Sequence, residues 1–102
     1  MIAKILKKGD ENFTINQLMD EVKKNPRINE CGAIFSFEGI VRGKEIDKTT
    51  VKMDLTTPDI EKTQMELEEI IKDIKNKYGV VEIGVVHYVG EFEPSDPLFL
   101  AV

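Results

Sequence analysis

Residues 57 to 79, TPDIEKTQMELEEIIKDIKNKYG, limit the possible folds more than any other stretch. Ile60, Leu67, Ile71, Ile74 and Tyr78 recur at helical spacing, with Thr63 or Gln64 completing one stripe. Charged residues crowd the remaining positions and read as a solvated outer face. Thr57 is placed to cap the start, Pro58 fits the first helical position, and Asp59 and Glu61 fall in the acidic first turn. Lys75 and Lys77 suit the negative end, and Gly79 supplies a left-handed stop. Glu68 and Lys72 are spaced for an i,i+4 ion pair. A helix with a single apolar stripe must lay it on another layer, so the rest of the chain has to provide one.

Strand patterns provide it. Residues 2 to 8, IAKILKK, alternate loosely and predict a short strand exposed on one face. CGAIFSFEGIVRG, residues 31 to 43, predicts a buried strand. Ala33, Phe35, Phe37 and Val41 would share one face, and Ile34, Ser36, Glu38 and Ile40 the other. Gly39 interrupts this strand and marks a bulge or a close backbone approach. TTVKMDLTT follows after the charged turn GKEIDK, and so short a link predicts an antiparallel pair. VVEIGVVHYVGEF and PLFLAV are two further strands. FTINQLMDEVKKNP is a second helix: Thr14 and Gln17 form a capping box, Phe13 and Leu18 a hydrophobic staple, and Pro26 a stop. The order β-α-β-β-α-β-β predicts an α+β fold, an antiparallel or mixed sheet with two packed helices. The length of 102 residues fits one domain spanning 1–102.

Charge and cysteine usage narrow the function. The net charge is −5, which argues against a general affinity for nucleic acid while leaving room for a local basic pocket. One cysteine, Cys31, permits no internal disulfide and suits a reducing cytoplasm. Beside Gly32 it reads as a small apolar residue before it reads as a nucleophile. No stretch has the length of a membrane span, and one Cys with one His gives no zinc spacing, so no metal or cofactor is expected.

Three features carry possible chemistry. Arg42 ends the strand FSFEGIVRG, and Gly43, Lys44 and Lys48 follow it. A guanidinium stays protonated and offers five donors in a planar fork, which suits phosphate or carboxylate. A strand end rimmed by solvated basic residues explains the same spacing. His87 sits among valines, where a hydrogen-bonded core histidine is the plainer reading than a catalyst. Glu91, Glu93 and Asp96 surround a Pro-Ser-Asp-Pro turn, and solubilising charge explains them as well as acid–base work does.

GAIFSFEGIVRG, the two blocks after it and VVHYVGEFEPSDPLFLAV together resemble the large, catalytic subunit of molybdopterin synthase, the MoaE family. The resemblance covers about residues 32 to 102 and rests on FxGxVR with the spaced HxxGE. It implies a MoaE-like fold of the α/β-hammerhead type. It also implies sulfur transfer onto cyclic pyranopterin monophosphate during molybdenum cofactor biosynthesis. The sulfur would come from a ubiquitin-like small subunit bearing a thiocarboxylate on its C-terminal Gly-Gly, and the large subunit would form a homodimer. Arg42 matches the arginine of the family's anion pocket, with Lys44 as a weaker helper. The family's catalytic lysines belong to a further C-terminal segment that has no match here, so catalytic residues stay unassigned. Lys44, Lys48 and Lys52 do not occupy those positions. A non-catalytic relative acting as a dimerisation or partner-docking subunit is the alternative.

Overall fold

The computed structural model describes residues 2–43 and 53–102. The elements run β1 (Ile2–Lys7), α1 (Ile15–Val22), a 3-10 turn (Ile28–Glu30), β2 (Phe37–Ile40), β3 (Met53–Leu55), α2 (Ile60–Tyr78), β4 (Gly84–Phe92) and β5 (Pro97–Ala101). The strands lie in the order β1-β4-β5-β2, and β3 pairs with β4. β1 runs parallel to β4, whereas the β3–β4, β4–β5 and β5–β2 pairs are antiparallel. The mixed α+β sheet expected from the element order is therefore present. Among the described helices, none is long and apolar enough to cross a membrane.

The core forms where α1 crosses the sheet. β4 is apolar on both faces, and Val85, Val86, Tyr88, Val89 and Phe92 are buried. Leu18 of α1 is fully buried against the face that carries Val86, Tyr88 and Leu100. Burying a leucine in this way contributes about 1.5–3 kcal/mol. Gly84 lets the helix approach: a Cβ there would lie 2.9 Å from Leu18 Cδ1 and 3.0 Å from Val22 Cγ2. The capping box forms as the sequence predicts, with Gln17 N donating to Thr14 Oγ1 and Thr14 N donating to Gln17 Oε1. One residue earlier, Phe13 N donates to the Tyr88 hydroxyl at 2.8 Å, which pins the entry to α1 on β4.

The second helix closes the free edge of β1 with a side chain. Gln64 Oε1 accepts from Ile5 N at 2.8 Å, and Gln64 Nε2 donates to Ala3 O. The amide thus offers β1 the donor and acceptor of a neighbouring strand. Gln64 Nε2 also donates to Glu68 Oε1 at 3.1 Å, an arrangement that places Glu68 beside Gln64.

The predicted stripe on α2 is only partly covered. Ile71 is buried, whereas Tyr78 is 68% exposed. A helix of 19 residues is about 28 Å long and a strand of six residues about 20 Å, so α2 is longer than the strand it packs on. The cap also differs from expectation. Asp59, not Thr57, is the N-cap and accepts from Lys62 N at 3.0 Å, while Thr57 Oγ1 pairs with Thr63 Oγ1 at 2.7 Å. Gly79 ends the helix in the left-handed conformation, as predicted.

A carboxylate ties the ends of three elements together. Glu82, just before β4, accepts from Asn25 Nδ2 at 3.0 Å, from its neighbour Ile83 N at 3.0 Å and from Lys75 Nζ at 3.4 Å. Burial pushes its pKa up, but the hydrogen bonds it accepts, those of Asn25 and Ile83 among them, outweigh burial and hold it down to about 2.

The segment 31–43 departs most from its sequence reading. Regular strand is confined to Phe37–Ile40, which pairs with β5 and shifts register between Gly39 and Ile40, where the bulge was expected. Phe35 is 83% exposed and Phe37 62% exposed, and Ile40 is exposed too. Val41 alone among the predicted inward residues is buried. The reading of a buried strand is therefore wrong for residues 33 to 40. Alternation reports that a strand has two unlike faces, but not whether its own domain covers the apolar one. Nor do β2 and β3 pair among the described residues: β2 joins β5 and β3 joins β4.

Candidate functional site

Arg42 leaves the fold at a fixed point. Val41, the residue before it, is buried with only 3% exposure. Val41 N donates to Asp96 O at 3.0 Å, and Ser95 N donates to Val41 O at 2.8 Å. These reciprocal bonds dock the end of β2 on the turn between β4 and β5. Arg42 is exposed immediately beyond them. Its guanidinium is thus carried on a backbone anchored by packing on one side and by paired hydrogen bonds on the other.

The turn that receives Val41 is itself braced. Asp96 Oδ2 accepts from Glu93 N at 2.7 Å and from Lys8 Nζ at 2.6 Å. Asp96 N donates to Glu93 O at 3.1 Å. The Lys8 ammonium first, and the Glu93 N–H second, hold the Asp96 carboxyl below its ordinary range. Ser95 has φ of 71°, a left-handed conformation that costs a non-glycine residue free energy. Lys8 follows β1, and its own N–H donates to Val89 O at 2.8 Å, so the β1–β4 ladder sets its position. Its Nζ lies 5.7 Å from the centre of the Phe92 ring.

Lys8 is the residue that sequence reasoning missed. It lies 88 positions from Asp96, and nothing in its local spacing marks it. Only the parallel register of β1 on β4 brings it to the turn. Lys44, the expected second site residue, lies outside the described residues, as do Lys48 and Lys52.

The remaining candidates have structural partners. The His87 ring is half-buried, with Nδ1 2.9 Å from Tyr88 O and an edge-on contact to Phe99 at 5.5 Å between ring centres. With a carbonyl as its neighbour, Nδ1 carries the proton and donates. Cys31 caps the 3-10 turn and lines an apolar cleft of about 570 Å³, together with Val22, Phe35, Val80, Ile83 and Val102. Asp96 is committed to the turn, so the acidic run around Pro94 includes a brace as well as solvated charge. Among the described residues, no group of three His, Cys, Asp or Glu could hold a metal ion.

Ile34, Phe35 and Phe37 line this cleft, and with Ile40 they make an exposed apolar strip along β2 and the segment before it. Phe37 meets Phe99 edge to face at 6.0 Å, so the strip continues onto β5. Apolar surface of this kind on a sheet edge suits contact with another protein.

Comparisons with known proteins bear on the family and the fold. No curated protein sequence matches the chain. The family model described as MoaE protein matches residues 9–102. Among the solved structures that share the fold, three are described. The molybdopterin biosynthesis MoaE protein from Burkholderia ambifaria MC40-6 is 22% identical with a TM-score of 0.73, covering 99% of this chain and 61% of that one. The molybdopterin cofactor biosynthesis protein E from Burkholderia multivorans ATCC 17616 is 21% identical with a TM-score of 0.75, covering 99% and 62%. Molybdopterin synthase from Staphylococcus aureus is 20% identical with a TM-score of 0.75, covering 97% and 66%. The chain therefore spans less than two thirds of the length of these structures, and at such identities the likeness shows the fold. With the family model spanning all but the first strand and the fold agreeing, the chain belongs to the MoaE protein family.

Proposed function

We propose that the chain acts in molybdenum cofactor biosynthesis as a molybdopterin synthase large-subunit-like protein. In this reading it binds cyclic pyranopterin monophosphate while a ubiquitin-like small subunit delivers sulfur as a thiocarboxylate on its C-terminal Gly-Gly. Arg42 holds the substrate phosphate, with Lys44 as a weaker helper. The observation that carries this reading is the exit of Arg42 from a buried, doubly hydrogen-bonded Val41 within the family's FxGxVR pattern. An arginine fork on a fixed backbone binds a phosphate bidentately and orients the attached ring, which lowers the entropy cost of the following step. Catalytic residues are not assigned to the described chain. The exposed strip of Phe35 and Phe37 supports a homodimer or small-subunit contact, and the cytoplasm is the compartment that fits a single unpaired cysteine.

The same strip favours the second reading, a non-catalytic subunit that docks partners. Mixing the protein with thiocarboxylated small subunit and cyclic pyranopterin monophosphate separates the two. Formation of the dithiolene product, detected by mass spectrometry, supports the enzyme. A stable complex without product leaves the docking role, and absence of both complex and product rejects both readings.

A further inference from the structure

We infer that Lys8 and Asp96 are positioning residues for Arg42, forming a latch that fixes where its guanidinium meets a phosphate. This rests on the reading of Arg42 as the phosphate ligand. Val41 is bonded to Ser95 N and Asp96 O, so the place of Arg42 follows the place of the turn. The turn has a reason to move, because Ser95 is held in a left-handed conformation that the chain does not favour. Two bonds to Asp96 Oδ2 oppose that tendency. One comes from Glu93 N within the turn. The other comes from Lys8, which is anchored on the central strand through Val89 O.

The charges reinforce the geometry. Asp96 is an anion whose backbone carbonyl is bonded to Val41 N, one residue before Arg42, and an uncompensated negative charge on that turn opposes the approach of a phosphate to the strand end. Lys8 supplies the opposite charge at 2.6 Å. The pair is partly exposed, so its contribution to overall stability is small. Its effect falls on one local geometry, and that separates it from a general stabilising contact.

The test measures affinity for cyclic pyranopterin monophosphate, and for the same pterin without its phosphate, by anaerobic calorimetry. Proteins compared are wild type, Arg42→Ala, Lys8→Met, Lys8→Arg, Asp96→Ala and the Lys8→Met/Asp96→Ala pair, each with its thermal midpoint. Lys8→Met and Asp96→Ala each weaken binding of the phosphorylated pterin about five- to tenfold, a coupling typical of residues in one network. The dephosphorylated pterin is unaffected, the double variant is no worse than the weaker single one, and Lys8→Arg retains most of the affinity. Loss in Arg42→Ala with none in Lys8→Met or Asp96→Ala overturns the latch alone. Multiplying effects in the double variant also overturn it, since Lys8 would then be a ligand in its own right. Equal loss for both pterins overturns it as well. Unchanged affinity in Arg42→Ala removes the phosphate-ligand reading, and the latch with it.

Discussion

The clasp of Gln64 on β1 gives a sharp energetic prediction. Replacing Gln64 with Ala removes the acceptor of Ile5 N–H and the donor to Ala3 O. Each hydrogen bond contributes about 1 kcal/mol net, so the loss is about 2 kcal/mol. Alanine's better helix propensity returns a few tenths, leaving roughly 1.5–2 kcal/mol. For a domain of this size that lowers the thermal midpoint by about 6–15 °C. Urea unfolding followed by circular dichroism measures the loss, with exposed Glu66→Ala on the same helix as a control that changes stability by less than about 0.5 kcal/mol. Gln64→Glu adds a sign test. The introduced carboxylate has no proton for Ala3 O and lies beside Glu68, so its folded pKa rises above the unfolded value of about 4.3. Its stabilising contribution is therefore present below that pH and lost as pH rises through the folded pKa, so this variant is closer to wild type at pH 4 than at pH 7. A loss below about 0.5 kcal/mol in Gln64→Ala would show that water replaces the amide without cost, and would refute the edge-closing role.

Three further outcomes follow from the packing and the charges. Gly84→Ala forces a Cβ against Leu18 and Val22, and Leu18 is fully buried, so denaturant unfolding should show a loss of about 1–3 kcal/mol. Ser95→Gly relieves a left-handed serine, and a gain of about 0.5–1 kcal/mol in thermal unfolding is expected after glycine's entropy cost. Glu82 has a folded pKa of about 2 against an ordinary 4.5, so its contribution is full above pH 4.5 and fades as pH falls toward 2. The gap in thermal midpoint between wild type and Glu82→Gln should accordingly narrow over that window, and a gap that stays constant contradicts the assignment.

Local signals in the chain are legible where one element decides its own form. Thr14 and Gln17 announce the first helix, and Gly79 announces the end of the second, because a cap depends on neighbours three or four residues away. They are not legible where the outcome depends on a distant strand. Phe35 and Phe37 alternate like core residues, yet β2 is the last strand in its row and their exposed face waits on no helix among the described residues. Asp59 took the cap from Thr57 because the Thr57 hydroxyl found Thr63 instead. The site shows the same division. Arg42 was legible from its motif and its chemistry, whereas the Lys8–Asp96 brace exists only through the parallel pairing of β1 with β4.

The most direct test of the account compares the phosphorylated and dephosphorylated pterin on wild-type protein and on Arg42→Ala. A charge-assisted hydrogen bond to phosphate contributes about 1.5–3 kcal/mol, or roughly 10- to 150-fold in affinity. Wild type should prefer the phosphorylated pterin by at least that factor, and Arg42→Ala should lose the preference while keeping its thermal midpoint. An Arg42→Ala protein that still distinguishes the two pterins as wild type does would contradict it.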